Sequence, residues 1–312
     1  MKGEGALRVA HFSDLHYGPR NLDEADRCFA AAIERALALG VQAAVISGDS
    51  TDHALDLHSP AAVALVSRVR CLADHCPVLM LQGTWSHEPP GTLSVFRELG
   101  GRYPVHVADR IGQVGLSAAG RWVASTGWCF ERLPEGLRAL VSCLPTVNRA
   151  AVAAAAGAAD AASATGEHIA ALLRGLAPVH AQARALGLPT LLVSHGTVFG
   201  CLSEHGVPMA GFDHEFTTGG LFDAGAQAVL LGHIHRHQRW ESDGAVGRQC
   251  IAYAGSIGRF HHGEAGDKGF LFWHIGAHAA ACRLEATPAR RTLDIRFDGK
   301  PELDALRAAL AE

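Results

Sequence analysis

Four apolar runs in this chain each stop at a residue type that ligates metal, and this repetition constrains the fold more than any other feature. Val9-Ala10-His11-Phe12 runs into Ser13-Asp14-Leu15-His16, and Val41 to Ile46 runs into Ser47-Gly48-Asp49. Leu188 to Val193 runs into Ser194-His195, and Ala228-Val229-Leu230-Leu231 runs into Gly232-His233-Ile234-His235. Short apolar runs bounded by Gly, Ser or Asp read as buried strands. Between the first two, Ala25, Phe29, Ile33, Ala36 and Leu37 recur at helical spacing over Asp23 to Leu39, and Gly40 is a natural stop. A second helix is predicted at about 60–74 and a third strand from Pro77 to Leu81. Strand, helix, strand, helix, strand at this spacing implies βαβ units and a largely parallel sheet. In open sheets of that kind ligands collect beyond the carboxyl ends of the strands, where the polar residues of all four runs stand.

The rest of the chain is less regular. Residues 104–127 read as short strands and turns, with strands around Tyr103 to Val107 and Arg121 to Ser125. Residues 131–186 read as an Ala-rich helical insertion, two helices around a soft centre, expected to cover the sheet. The segments 249–254, 269–275, 281–286 and 292–297 read as antiparallel strands, and Pro301 to Leu310 as a closing amphipathic helix. Hydrophobic residues make up 48% of the 312, enough to bury one large core. The expectation is a single domain over 1–312, with a small C-terminal subdomain after about 285 as a variant. A net charge of -4 excludes a globally basic nucleic-acid binder, so any such contact would rest on local patches and bound cations. Eight cysteines without a Cys-x-x-Cys or a regular framework read as reduced thiols. Met1 to Leu7 is short and polar, unlike a signal peptide, and no apolar run reaches the ~18 residues of a membrane span. The expected compartment is the cytoplasm, with no membrane partner.

The strand ends supply Asp14, His16, Asp49, His195, His233 and His235, two carboxylates and four imidazoles. A His-x-His pair in extended backbone puts both rings on one face. One ion cannot use all six and still bind a substrate, whereas two ions about 3.5–4 Å apart that share a carboxylate can. Mixed oxygen and nitrogen donors without thiolate suit Mn²⁺, Fe²⁺ or Zn²⁺ ahead of Ca²⁺ or Mg²⁺, and Mn²⁺ is the ion expected. Such a pair lowers the pKa of a bridging water and clamps the oxygens of an in-line phosphoryl displacement.

These residues carry a resemblance. Asp14-Leu15-His16, Gly48-Asp49, the Gly-to-His-acid segment at 83–88, Ser194-His195 and Gly232-His233-Ile234-His235 resemble the ordered motifs of the calcineurin-like metallophosphoesterases. Downstream, Tyr253-Ala254-Gly255-Ser256-Ile257-Gly258-Arg259, Gly263-Glu264 and Lys268-Gly269-Phe270 are similar to the corresponding stretch of SbcD-type DNA-repair exonucleases. The resemblance implies a four-layer α/β/β/α sandwich of two facing mixed sheets. It implies that Asp14, His16 and His235 hold a first ion, that His195 and His233 hold a second, and that Asp49 bridges. His87 would protonate the leaving oxygen or stabilise the transition state, with Glu88 orienting it. The family pattern has Gly-Asn-His before the acid, and its Asn ligates the second ion. Here the segment is Gly83-Thr84-Trp85-Ser86-His87-Glu88, and Ser86 is the residue assigned to the Asn position.

The activity implied is a dinuclear phosphodiesterase, a DNA exonuclease or endonuclease of the SbcD type, in which a metal-bridging hydroxide attacks the phosphodiester in line. Its implied partners are DNA, an SbcC-type coiled-coil ATPase and a second copy of the chain. The alternatives are a phosphatase or phosphodiesterase of small nucleotides or cyclic nucleotides, and a non-catalytic binding scaffold with weakened metal sites. Among the remaining residues, Asp52 reads as a supporting acid and His11 as buried and neutral. His53, His58, His205, His214, His237, His261 and His262 read as solvated or structural by default. Arg259 reads equally as a bidentate phosphate contact or a surface ion pair.

Overall fold

In the computed structural model the described residues are 6–146, 161–209, 216–292, 295, 299–300 and 302–311. The first half runs β1 (Leu7–Phe12), α1 (Leu22–Ala38), β2 (Ala43–Ile46), α2 (Pro60–Ala73), β3 (Val78–Leu81), β4 (Val105–Ala108), β5 (Gly112–Ser117), β6 (Trp122–Ala124) and β7 (Leu137–Leu144). The second half runs α3 (Ala161–Ala185), β8 (Thr190–His195), α4 (Thr218–Asp223), β9 (Ala228–Gly232), β10 (Gln238–Gly244), β11 (Gly247–Tyr253), β12 (Gly269–Ile275), β13 (Ala280–Ala286) and α5 (Leu303–Ala311). Local chemistry sets several of these ends. Ser59 caps α2 by accepting the Ala62 amide, and Pro60 fits the first turn, where its missing N–H costs nothing.

Two sheets form. One has six strands in the order β13-β12-β1-β2-β3-β4, with β1 to β4 parallel and β12 and β13 antiparallel. The other has seven in the order β10-β11-β9-β8-β7-β5-β6, with β11, β9, β8 and β7 parallel. Alternation along the strands divides the core into layers. In β1, Leu7 and Val9 pack against the second sheet, while Ala10 and Phe12 pack against α1 and α2. In β9, Ala228 and Leu230 face the first sheet, while Val229 and Leu231 meet α3 and α4. The result is the expected α/β/β/α sandwich of two facing mixed sheets. Among the described residues no helix is long and apolar enough to cross a membrane.

Two readings need correction. Residues 131–186 are not helical throughout, because Leu137–Leu144 is a strand inside the second sheet. It is buried on both faces, so its apolar residues follow one another without alternation, a pattern that a buried helix shares. Of the soft centre expected at 150–166, residues 150–160 lie outside the described residues and 161–166 belong to α3. Residues 249–254 run parallel to β9 and antiparallel only to β10, a strand the sequence reading missed. Most of the expected strand at 292–297 lies outside the described residues.

A buried polar knot ties β7 to its covering helices. His180 of α3 is fully buried, its Nδ1–H donates to the Ala224 carbonyl at 2.6 Å, and Ser142 lies 2.9 Å from Nε2. Burial pushes the imidazole pKa down from 6.5 to about 4. The unfolded chain therefore takes up the proton first as pH falls. Stability is complete above about 6.5 and is lost between there and about 4. The full displacement is worth about 3 kcal/mol. Urea unfolding between pH 7 and pH 4 is expected to show wild type losing its advantage over His180→Gln by roughly that amount. An advantage that stays constant with pH rules out a ring held neutral by burial.

Candidate metal centre

The loops that leave β1 and β2 keep pairing after the strands end. The Asp14 amide donates to the Gly48 carbonyl at 3.1 Å, and the His16 amide to the Asp49 carbonyl at 3.0 Å. Among the described residues, four non-glycine positions have left-handed backbone: Asp14 (φ 50°), His16 (φ 47°), Asp49 (φ 51°) and His233 (φ 98°). All four belong to the ligand set expected from the sequence. Each such residue costs on the order of 1–3 kcal/mol, and the strain persists only where surrounding contacts enforce it. Here it turns the four side chains toward one another.

The side chains converge in two groups. Asp14, His16 and His235 form the first, and Asp49, His195 and His233 the second. His16 Nε2 lies 2.9 Å from His235 Nε2, with Asp14 Oδ1 at 4.0 and 3.8 Å from the two rings. In the second group His195 Nε2 lies 3.2 Å from Asp49 Oδ2, and His195 Nδ1–H donates to the Ser47 carbonyl at 2.7 Å. The His233 amide donates to both Asp14 oxygens, at 3.2 and 3.1 Å, and so joins the groups. Close packing of the loops requires glycine at their crossings. A Cβ on Gly83 would stand 2.3 Å from the Asp49 amide nitrogen, and one on Gly232 would stand 2.3 Å from the Ser47 carbonyl.

These residues fit divalent ions. Carboxylate oxygens face the outer nitrogen of each ring, Asp52 at 3.6 Å from His16 Nδ1 and Glu264 at 3.6 Å from His235 Nδ1. Protons placed on those outer nitrogens leave two Nε2 lone pairs pointing at each other across 2.9 Å beside a carboxylate. That contact is repulsive without a cation. It is also close to the spacing of adjacent ligands on an ion bound at about 2.1 Å. Burial opposes charge on both Asp49 and His195, yet their contact prevails. The Asp49 carboxyl lies below the usual range and His195 is raised to about 10.

The segment after β3 departs from the sequence reading. Thr84, not Ser86, is the residue of this segment that meets Asp49 and His195. The Thr84 amide donates to Asp49 Oδ1 at 2.6 Å, and its hydroxyl lies 3.2 Å from both Asp49 Oδ2 and His195 Nε2. The amides of His87 and Glu88 then fold back onto the Thr84 carbonyl, and this turn leaves Trp85 and Ser86 exposed. Thr84→Asn is expected to tighten binding of the second ion, measured by Mn²⁺ titration calorimetry, because an amide carbonyl is a better ligand than a hydroxyl. Ser86→Ala is expected to leave both binding events unchanged. The opposite pattern restores Ser86 as the ligand.

Glu88 is also reassigned. It is fully buried, and its two oxygens accept the amides of Ser50 at 2.5 Å and Gly83 at 2.6 Å. Burial pushes its carboxyl up to about 7, against the pull of those amides. Glu88 staples two loops and does not orient His87. That role falls to the Asp52 carbonyl, 2.7 Å from His87 Nδ1, and the His87 ring sits 4.8 Å from that of His16. His11 is buried against Ser47 with its pKa down to about 3, as expected for a neutral ring. Arg259 is no free phosphate contact, because its guanidinium donates to the carbonyls of Glu264, Gly266 and Arg290. His214 lies outside the described residues. Glu264 and Lys268 are the site residues whose role the sequence reading missed. Their signal was present in the 263–270 segment, but nothing local tied it to His235.

No protein-family model matches the chain, and no curated protein matches it. Among solved structures, a dimetal phosphatase from Danio rerio aligns over 90% of this chain and 99% of that one, at 11% identity and a TM-score of 0.45. A 5'-nucleotidase precursor from Thermus thermophilus aligns over 98% of this chain at 15% identity and a TM-score of 0.44, and the chain spans 58% of that protein's length.

Proposed function

We propose that the chain is a dinuclear metal-dependent phosphoesterase acting on phosphodiesters. The observation that carries this reading is the pair of three-residue ligand groups, joined through the His233 amide, with His87 beside them. Asp14, His16 and His235 would hold one ion and His195 and His233 the other, with Asp49 between them. When bound, two such ions supply Lewis-acid polarisation of a phosphoryl oxygen and activation of water at neutral pH. The protein contributes geometry and one mobile proton. With Nδ1–H spent on the Asp52 carbonyl, His87 has Nε2 left to hand a proton to the departing oxygen. Thr84 fixes both oxygens of Asp49, so the carboxylate needs no reorganisation on binding substrate. The presence together of Asp14, His16, Asp49, His195, His233, His235 and His87 argues against a pure binding scaffold, which has no need of all seven.

The finer reading from the sequence is a DNA nuclease of the SbcD type, with DNA, a coiled-coil ATPase and a second copy as partners. It rests on the resemblance of residues 253–270. A second reading is hydrolysis of small nucleotides or cyclic nucleotides. The test is a substrate panel with Mn²⁺: bis-p-nitrophenyl phosphate, nucleoside monophosphates, cyclic nucleotides, and single- and double-stranded DNA. Cleavage of DNA supports the nuclease, and turnover of small esters alone supports the second reading. No turnover by protein with both ions bound overturns the catalytic proposal and returns the scaffold reading.

A further inference from the structure

Resting on the dinuclear reading, we infer that Glu264, paired with Lys268, is a positioning residue that holds His235 toward the first ion and makes that ion's site the tighter of the two. Glu264 and Lys268 are both buried, and their charged atoms lie 2.6 Å apart. A buried ion pair is poor value for stability alone, because desolvating its charges costs several kcal/mol. This one grips a single residue from two sides. Glu264 Oε1 faces His235 Nδ1 at 3.6 Å, and Lys268 Nζ donates to the His235 carbonyl at 2.7 Å. Oε1 also accepts the His261 amide at 2.9 Å, and the His261 ring stacks on that of His235 at 5.8 Å and 11°.

Ring and backbone of His235 are thus both fixed, and Nε2 is the nitrogen left to point inward. His235 Nδ1 is buried and has no hydrogen-bond partner, so Glu264 is the acceptor placed to take its proton. A carboxylate behind a ligating imidazole fixes the tautomer and raises its donor strength, and loss of such a partner typically costs about 10–100-fold in metal affinity. His16 has the same arrangement with Asp52, but that carboxylate is 35% exposed and screened by solvent. In the second group His195 is backed by a neutral carbonyl. A buried carboxylate thus stands behind His235 where a neutral carbonyl stands behind His195, and the first site is expected to fill first.

Titration calorimetry with Mn²⁺ on the full chain tests this. Wild type is expected to show two binding events, the tighter abolished by His235→Ala and the weaker by His195→Ala. Glu264→Gln is expected to weaken the tighter event by about 10–100-fold and leave the weaker one in place. The Co²⁺-loaded protein is expected to show a changed visible absorption band only for the tighter site, a readout that a packing role would not move. Melting in EDTA checks the fold. If Glu264→Gln is unfolded there, the double variant Glu264→Gln with Lys268→Gln, which removes both charges together, takes its place. Two wild-type events with Glu264→Gln unchanged, or with both events weakened equally, overturn this inference and leave the dinuclear reading standing. One event or none in wild type overturns the dinuclear reading itself.

Discussion

Asp49→Asn is expected to lower phosphodiester hydrolysis by about 10³-fold or more while the protein stays folded. The size follows from removing the carboxylate of the second ligand group, a preorganised charge 3.2 Å from His195 that the proposal sets between the two ions. Asn is the informative replacement. It keeps the side-chain shape and tolerates the left-handed backbone at this position (φ 51°), where Ala would add strain to the loss of charge. Its amide can still accept the Thr84 N–H, so the loop after β3 keeps its anchor. Stopped assays at saturating Mn²⁺, with thermal melting in parallel, separate the two effects. A variant that melts like wild type and retains a tenth or more of the activity contradicts a bridging role for Asp49.

His87→Ala is expected to show a loss that depends on the leaving group. For a substrate that departs as an alkoxide, such as a nucleotide, the leaving oxygen needs a proton in the transition state, and kcat is expected to fall by about 10²–10⁴-fold. For p-nitrophenyl esters the leaving group is stable as an anion, and the loss is expected to be within about 10-fold. Metal binding is expected to be largely retained, because His87 belongs to neither of the two ligand groups and its Nδ1 is spent on the Asp52 carbonyl. Equal losses on both substrate types contradict proton donation and point to charge stabilisation by the ring.

The parts of this site that were legible in the sequence are those whose signal is local. Asp14, His16, Asp49, His195, His233 and His235 each stand within a few residues of an apolar strand, and the strand ends declare where they go. The parts that were not legible depend on three-dimensional pairing or on the path of a turn. Between Gly83 and Glu88 the one-turn fold sets which side chain faces Asp49, so position relative to the acid pointed to Ser86 while the chain delivers Thr84. Glu88 looked like the orienter of its neighbour His87, but its carboxylate is consumed by amides of two different loops. Glu264 and Lys268 reach His235 from about thirty residues downstream, a contact that only the fold creates. In the scaffold itself, β7 escaped notice because a strand buried on both faces carries no period of two.

Crystals of the chain grown with saturating Mn²⁺ and measured with X-rays tuned to the manganese edge would show directly whether two ions share one cleft. The expected map has two anomalous peaks about 3.5–4 Å apart. One is in contact with Asp14, His16 and His235, the other with His195 and His233, and both lie within reach of Asp49. A single peak at these residues, or none, contradicts the dinuclear centre and the phosphoester chemistry built on it.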